Sequence, residues 1–324
     1  MMCSASVIII AYNMEQFISK TVKSVLGQTL APSQIIIIDN GSTDNTLRII
    51  NRFANNNSNI IISSLPINVG LAEARNISLD FVKTDYFCFL DADDMLRKDA
   101  IEKFSKVAIK YDADLVTCNV LARKHFFFNK TQHPSEWYSQ TGCMSILKCP
   151  KQFYEQAAWA KFIKTEYANK ISYRFTKNSL FCEDVPAATV LFTNTDKICT
   201  LPDPLYIYRI RKNSLSSRFE KKQIDDFVFA MTEQDRIMRE SRFQSYKVFQ
   251  SIYEARLLLG NLLLSRLNPK NIDYYFKVMY LAFNHITHDD LQNLFSKSFQ
   301  LEVLYTSIME KDSKLYTKLL KQKS

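Results

Sequence analysis

Three carboxylates fall within four residues at Asp91-Ala92-Asp93-Asp94, directly after the apolar run Tyr86-Phe87-Cys88-Phe89-Leu90. The apolar half reads as a buried strand. The acidic half then lies at a strand's carboxyl end, where open α/β sheets bind ligands. Carboxylate oxygens are hard donors suited to Mg2+ or Mn2+, and such ions share their coordination with substrate phosphates. One chemistry on offer is therefore a divalent metal holding a nucleoside diphosphate; the other reading is an acidic turn and helix cap. Asp39, after Ile35-Ile36-Ile37-Ile38, can accept a hydrogen bond from a base imide or a ribose hydroxyl, or form an Asx turn. Arg75 has a guanidinium fork that matches phosphate oxygens, or a surface ion pair. A second acidic pair, Glu183-Asp184, precedes a helix-like run and suits a helix N-terminus.

The elements that must position these groups alternate. Residues 6–11 form a β-branched run of the kind buried on both faces of a parallel sheet. Helical spacing follows over 15–28, a second strand over 35–39, a third over 60–62, and a helix from Leu71 to about Val82. Strand–helix alternation with short links predicts a mostly parallel, doubly wound α/β sheet. In that sheet Ala11, Tyr12, Asn13, Asp39, Asn68 and Asp91–Asp94 converge on one rim. Neither Gly-x-Gly-x-x-Gly nor Gly-Lys-Ser/Thr occurs, which argues against a dinucleotide fold and a P-loop.

Farther on, a helix is expected near Ala100–Ala108 and a strand over Leu115–Val120. The stretch 123–140 is irregular and aromatic. Trp137 and Tyr138 there are candidates to stack on a sugar ring, while Phe126, Phe127 and Phe128 suit packing. From about Phe219 glycine and proline nearly vanish and helical patterning dominates, which predicts an all-helical appendage. Lys311 to Lys323 alternate with Leu315, Leu319 and Leu320. That tail suits either an anionic membrane surface or a solvated helix, and the helical region also suits a partner or a second copy of the chain.

Composition sets the outer bounds. The 324 residues carry a net charge of +9, spread rather than blocked, which is weak evidence for nucleic acid as a partner. The seven cysteines include no Cys-x-x-Cys and read as buried reduced thiols of a cytoplasmic protein. His125, His133, His285 and His288 lack partners at metal-ligand spacing. The start shows no signal-peptide pattern, and no apolar run reaches the roughly 20 residues that span a bilayer.

Four segments, taken in order, resemble the family 2 glycosyltransferases, which have the GT-A fold. They are Val7–Asn13, Ile38-Asp39-Asn40-Gly41-Ser42-Thr43-Asp44, Asn68–Asn76 and Phe89–Asp94. Ala11 stands where the family usually has Pro, and Asn40 where a second Asp is common. The resemblance implies that Ala11, Tyr12 and Asn13 line a base and ribose pocket and that Asp39 pairs with the base, a uracil N3–H suiting its carboxylate. Asn68, Gly70 and Arg75 would shape the base and diphosphate side. Asp91 would reach the ribose or metal-bound water and Asp93 the metal, with Ala92 between them, whereas Asp94 would cap the next helix. Ala157–Lys164 resembles a Trp-x-Lys segment, in which Trp159 would floor the sugar pocket and Lys161 would face the diphosphate. The family's Glu-Asp pair falls on Glu183-Asp184. Its Asp is the usual general base, so Asp184 would take the proton of the attacking hydroxyl and Glu183 would orient the acceptor or the loop. Arg211 stands where a metal-binding His is frequent. Arg cannot ligate a metal, so Arg209 or Arg211 would neutralise diphosphate instead.

The resemblance implies a GT-A domain over 1–217, with a nucleotide-sugar half at 1–98 and an acceptor half at 99–217, followed by a helical domain over 218–324. It further implies a Mn2+- or Mg2+-dependent, inverting transfer from a nucleotide-sugar donor, UDP-linked by preference, to a saccharide or lipid-linked saccharide acceptor. The setting would be bacterial capsule, lipopolysaccharide or other surface-glycan synthesis, in the cytoplasm or at the inner face of the cell membrane. The alternatives are a sugar nucleotidyltransferase, which would carry a Gly-rich basic N-terminal loop that Ser6–Glu15 lacks, and a non-catalytic binder on the same fold.

Overall fold

The computed structural model describes residues 2–124, 127–131, 143–148, 156–177, 181–211, 219–241 and 246–321. The first half alternates as its sequence dictates: β1 (Ala5–Ala11), α1 (Ile18–Leu26), β2 (Gln34–Asp39), α2 (Thr46–Ala54), β3 (Ile60–Ser64), α3 (Leu71–Leu79) and β4 (Tyr86–Asp91). β3, β2, β1 and β4 pair in parallel, in that spatial order. Both faces are covered, which is why these strands are continuous apolar runs. Val7, Ile9, Ile35, Ile37, Cys88 and Leu90 pack under α1 and α2, whereas Ile8, Ile36, Ile38, Phe87 and Phe89 face the other layer, with α3.

The second half departs from a mostly parallel sheet. It comprises β5 (Met95–Leu96), α4 (Ala100–Tyr111), β6 (Leu115–Lys124), β7 (Phe127–Thr131), β8 (Cys143–Met144), β9 (Lys161–Lys164), α5 (Thr165–Lys170), α6 (Asp184–Thr193) and β10 (Ile198–Ile210). The short β9 slots antiparallel between β4 and β6, and β5 and β8 pair antiparallel to β10, so the sheet is mixed. β6 and β10 are parallel, with register shifts around Pro204. Proline cannot donate to the ladder, and a bulge is where a strand tolerates it. The bulged end of β10 carries Tyr206, Tyr208 and Arg209 along the acidic end of β4. α6 is buried on nearly all sides, between the sheet and the helices that follow.

Those helices are α7 (Lys221–Glu240), α8 (Tyr246–Ser265), α9 (Ile272–Phe283), α10 (Gln292–Phe295), α11 (Phe299–Met309) and α12 (Ser313–Lys321). Their core includes Cys182 and Val185, while Met238, Val248 and Ile252 join the core under the sheet, so the two regions share apolar surface. Arg256 is a buried tie among α7, α8 and α9. It bonds both oxygens of Asp235 (2.6 and 3.2 Å), Gln234 Oε1 (3.2 Å) and the Ala282 carbonyl (2.9 Å). His285 joins it through Asp235 at 3.2 Å. Tyr316 of α12 meets the Phe276 ring, and no helix among the described residues is long and apolar enough to cross a membrane. Cys3, Cys88 and Cys182 are free thiols. Cys199 is disulfide-bonded and so departs from the reduced set expected.

Candidate active site

The rim expected to hold the nucleotide is built by two loops that clamp each other. Asn13, at φ 53°, accepts from the Thr43 amide at 2.8 Å, and Ser42 Oγ accepts from the Asn13 amide at 3.0 Å. Glu15 Oε2 accepts from both nitrogens of Asn45, and Asp44 from the Glu15 amide. The loop after β1, with Tyr12 exposed, is thereby fixed against the loop after β2. Ala11 lies beside Asp39 in the strand register. Asp39 is 1% exposed; its Oδ2 accepts from Ser64 at 3.2 Å, and its Oδ1 finds no partner among the described residues. A buried carboxylate oxygen left without a donor is costly unless a ligand supplies one.

Asn40 is the residue that braces the Asn68–Gly70 loop, a role the sequence does not announce. Its amide nitrogen donates to Asn68 Oδ1 (3.1 Å) and the Gly70 carbonyl (3.3 Å), while its Oδ1 accepts from the Val69 amide (3.0 Å). An ionised aspartate could not make the first two bonds. Beside it Gly41, at φ +74°, lets the loop approach so closely that a Cβ would stand 2.4 Å from the Ile67 carbonyl carbon.

At the end of β4 the three aspartates diverge. Asp91 Oδ1 lies 3.5 Å from Arg75, and Asp93 Oδ2 pairs with Arg211 Nε. Ala92 is buried between them, its carbonyl bonded to Thr21. Asp94 does not cap a helix: α4 starts at Ala100, and Asp94 is buried, accepting from the Tyr206 hydroxyl at 2.6 Å and the Arg209 amide at 2.7 Å. It ties β4 to β10. Burial, then Asp91 and Asp93, push its carboxyl well above the usual range. Arg209 also donates to the Asp93 carbonyl at 2.7 Å, and both guanidinium groups lie over the Phe17 ring, at 5.4 and 5.3 Å. Phe17 and Tyr206 are further residues that sequence reasoning misses; the alternation Leu205-Tyr206-Ile207-Tyr208 was the available signal for Tyr206.

Arg75, expected to shape the base and diphosphate side, is turned into the protein. Its guanidinium is 3% exposed, lies near the rings of Phe89 and Phe175 (5.9 and 5.1 Å), and donates to Glu183 Oε1 at 2.7 Å. Burial opposes its charge, but Glu183, Asp91 and Asp184 more than compensate. The physical reason is the carboxylate cluster: a buried cation is held where anions surround it. Lys161 also turns inward rather than to an open diphosphate side. It is 1% exposed, donates to the Ala157 carbonyl at 2.5 Å and stands over the Phe192 ring. Its charge favours the ionised form of Asp184.

Arg75 thus joins the end of β4 to the start of α6. Glu183 stands just before that helix and Asp184 is its first residue. Burial pushes Glu183 up to about 7, with Asp184 adding and Arg75 opposing. Asp91 is pushed up to about 6, again by burial, with Asp93 and Asp184 adding and Arg75 opposing. Asp184 is raised by burial, against the pull of Arg75 and Lys161. Cys182 just before the pair and Ala160 beside Lys161 both hold positive φ, 62° and 55°. Such strain in non-glycine residues persists where surrounding contacts over-determine the backbone. Trp159 stacks on Tyr206 and Tyr208 with ring centres 4.8 and 5.8 Å away. Trp137 and Tyr138, the acceptor candidates, lie outside the described residues, as do His125 and His133.

Metal chemistry can be tested on this donor set. Among the described residues no group of three or more His, Cys, Asp or Glu side chains is arranged to hold an ion by itself. Mg2+ in nucleotide sites takes only one or two carboxylates and completes its shell with phosphate and water. Asp91 and Asp93 fit that pattern; Asp94, committed to Tyr206 and Arg209, does not.

A mixed, curled sheet whose strand ends gather these carboxylates, flanked by helices on both faces, is the GT-A fold. A family model described as Glycosyl transferase family 2 matches residues 6–183, more than half of the chain, and the protein belongs to that family. It is 26% identical over 272 residues to the glycosyltransferase GlyA of Streptococcus pneumoniae serotype 4, covering 79% of this chain and 38% of that one. It is 24% identical over 284 residues to the uncharacterized glycosyltransferase EpsJ of Bacillus subtilis, covering 82% and 80%. Its fold is similar to the crystal structure of S. aureus TarS residues 1–349 in complex with UDP-GlcNAc, with TM-score 0.78, 18% identity, and coverage of 97% of this chain and 89% of that one. The chain spans well under half the length of GlyA and most of EpsJ.

Proposed function

We propose that the protein transfers a sugar from a UDP-sugar to a hydroxyl of a saccharide or lipid-linked saccharide, inverting the anomeric carbon, in the synthesis of a bacterial surface glycan. The observation that carries this reading is the Arg75 bridge. It joins the partly exposed Asp91, on the donor side, to the buried Glu183, with Asp184 next in the chain, so a base would stand beside the carboxylates that would hold the donor. The UDP-GlcNAc held by the similar TarS fold supports UDP as the nucleotide.

Each residue then has a task. The unpartnered Oδ1 of Asp39 accepts the uracil N3–H at the floor of a pocket walled by Ala11, Tyr12 and Asn13. The Asn68–Gly70 loop, braced by Asn40, borders the diphosphate side. Asp91 and Asp93 would hold Mn2+ or Mg2+, which supplies positive charge to the leaving diphosphate. Arg209 and Arg211 add charge at the same rim. Trp159, stacked on Tyr206 and Tyr208, offers a ring edge to the sugar. Asp184 takes the proton of the acceptor hydroxyl, and its raised pKa suits a base, which works best when its pKa approaches the working pH. Glu183, locked on Arg75, sets the geometry of that base. Lys161 supports the charge of Asp184 from behind.

The test is Asp184→Asn, assayed for UDP affinity by calorimetry and for transfer by product analysis with a screened panel of UDP-sugars. Transfer should fall by about 10²–10⁴-fold while UDP affinity stays within a factor of two or so. Unchanged turnover would remove Asp184 as the base.

A further inference from the structure

We propose that Arg211 is a resident counter-cation of Asp93 that changes partner when the donor binds: it occupies the carboxylate while the site is free of nucleotide, and turns to the diphosphate once a divalent cation takes that carboxylate. This rests on the reading of the site as a UDP-sugar site, and adds a competition that the reading does not contain.

The geometry separates two neighbouring arginines that carry the same charge. Arg211 Nε contacts Asp93 Oδ2, a carboxylate oxygen that the metal would need. Arg209 Nε instead bonds the Asp93 main-chain carbonyl at 2.7 Å and leaves the carboxylate alone. Both guanidinium groups rest on the same face partner, Phe17, at 5.3 and 5.4 Å. The Arg211 and Asp93 side chains are 24% and 14% exposed, so the pair is reachable by solvent ions and the guanidinium has room to leave. Arg75, at 3% exposure, has no such freedom. A guanidinium donates to a carboxylate oxygen as it would to a phosphate oxygen, so the exchange trades one charge-assisted contact for another. One anionic oxygen serves Arg211 or the cation but not both. The free site therefore keeps Asp93 neutralised without metal and spares the chain an unpaired carboxylate beside Asp91 and Asp94.

The competition predicts opposite signs for one substitution. In Arg211→Ala the nucleotide-free protein should bind Mn2+ about three- to tenfold more tightly by electron paramagnetic resonance titration, since a partly exposed ion pair no longer has to be broken. The same variant in saturating Mn2+ should bind UDP about tenfold more weakly by calorimetry, because a charge-assisted phosphate contact is gone. Arg209→Ala is the control: it removes an equal charge but no carboxylate contact, and should leave Mn2+ affinity within about twofold. If Arg211→Ala leaves Mn2+ affinity unchanged or weaker, or if Arg209→Ala raises it equally, the exchange is overturned. Failure of the wild-type protein to bind UDP with Mn2+ at all would instead overturn the donor reading beneath it. Circular dichroism of each variant establishes that the fold is retained, and Arg211→Lys, which keeps the charge without the fork, should fall between wild type and Ala in both titrations.

Discussion

Replacing Arg75 by methionine keeps an apolar stem beside Phe89 and Phe175 but removes the guanidinium that faces Glu183 and Asp91. Deleting one partner of a buried ion pair costs about 3–5 kcal/mol, because the survivor stays desolvated and uncompensated. Protonation relieves part of that cost, so the loss depends on pH. Glu183 is pushed up to about 7 from 4.5. Between those values the folded protein binds more protons than the unfolded chain, so this group's contribution falls as pH rises through the window. Asp91, pushed up to about 6, acts with the same sign. Without Arg75 the Glu183 carboxyl titrates higher still, and the window extends upward. At pH 5 Glu183 is neutral in both folded proteins, so its charge drops out of the difference and the lost guanidinium contacts to Glu183, Phe89 and Phe175 remain. At pH 8 the variant must bury a charge or hold a proton, and each added unit of that window costs about 1.4 kcal/mol. Urea unfolding followed by circular dichroism should therefore show Arg75→Met less stable by about 3–5 kcal/mol at pH 8, with a loss smaller by about 1–1.5 kcal/mol at pH 5. Adding Glu183→Gln to the same chain should recover part of the deficit at pH 8, since no buried charge remains on that side. A loss below about 1 kcal/mol, the scale of an exposed pair, or an equal loss at both pH values, would refute Arg75 as the buried counter-charge.

Two further substitutions probe the pocket floor. Asn40→Asp removes the donors to Asn68 and Gly70 while leaving the size unchanged; UDP affinity by calorimetry should fall several-fold and stability by about 1–3 kcal/mol, and an unchanged affinity would show that the Asn68–Gly70 loop holds without this brace. Gly41→Ala places a Cβ against the Ile67 backbone at positive φ, so thermal unfolding should show a loss of about 1–3 kcal/mol with weakened UDP binding; a neutral result would mean the loop relaxes freely.

Much of the first half of the fold was legible in the chain itself. Runs such as Ile35-Ile36-Ile37-Ile38 admit one arrangement readily, a strand buried on both faces, and each is followed by its polar residue at the same end. The parallel order therefore brings Ala11, Asp39 and Asp91 to one rim. Arg75 read as an arginine of the diphosphate side and not as a buried one, since helical spacing says which face a residue takes and not what closes over it. Asp94 read as a cap because its partners, Tyr206 and Arg209, lie more than a hundred residues away in β10.

The sequence by itself determined the alternation, the apolar strands and the positions of the carboxylates, because strand and helix periods are local properties of side-chain order. Tertiary structure alone decided which of those carboxylates are paired, and with what. Arg75 with Glu183, Arg211 with Asp93 and Tyr206 with Asp94 are contacts across 108, 118 and 112 residues. Burial and neighbouring charge set a group's proton affinity, and both come into being only when distant elements pack together.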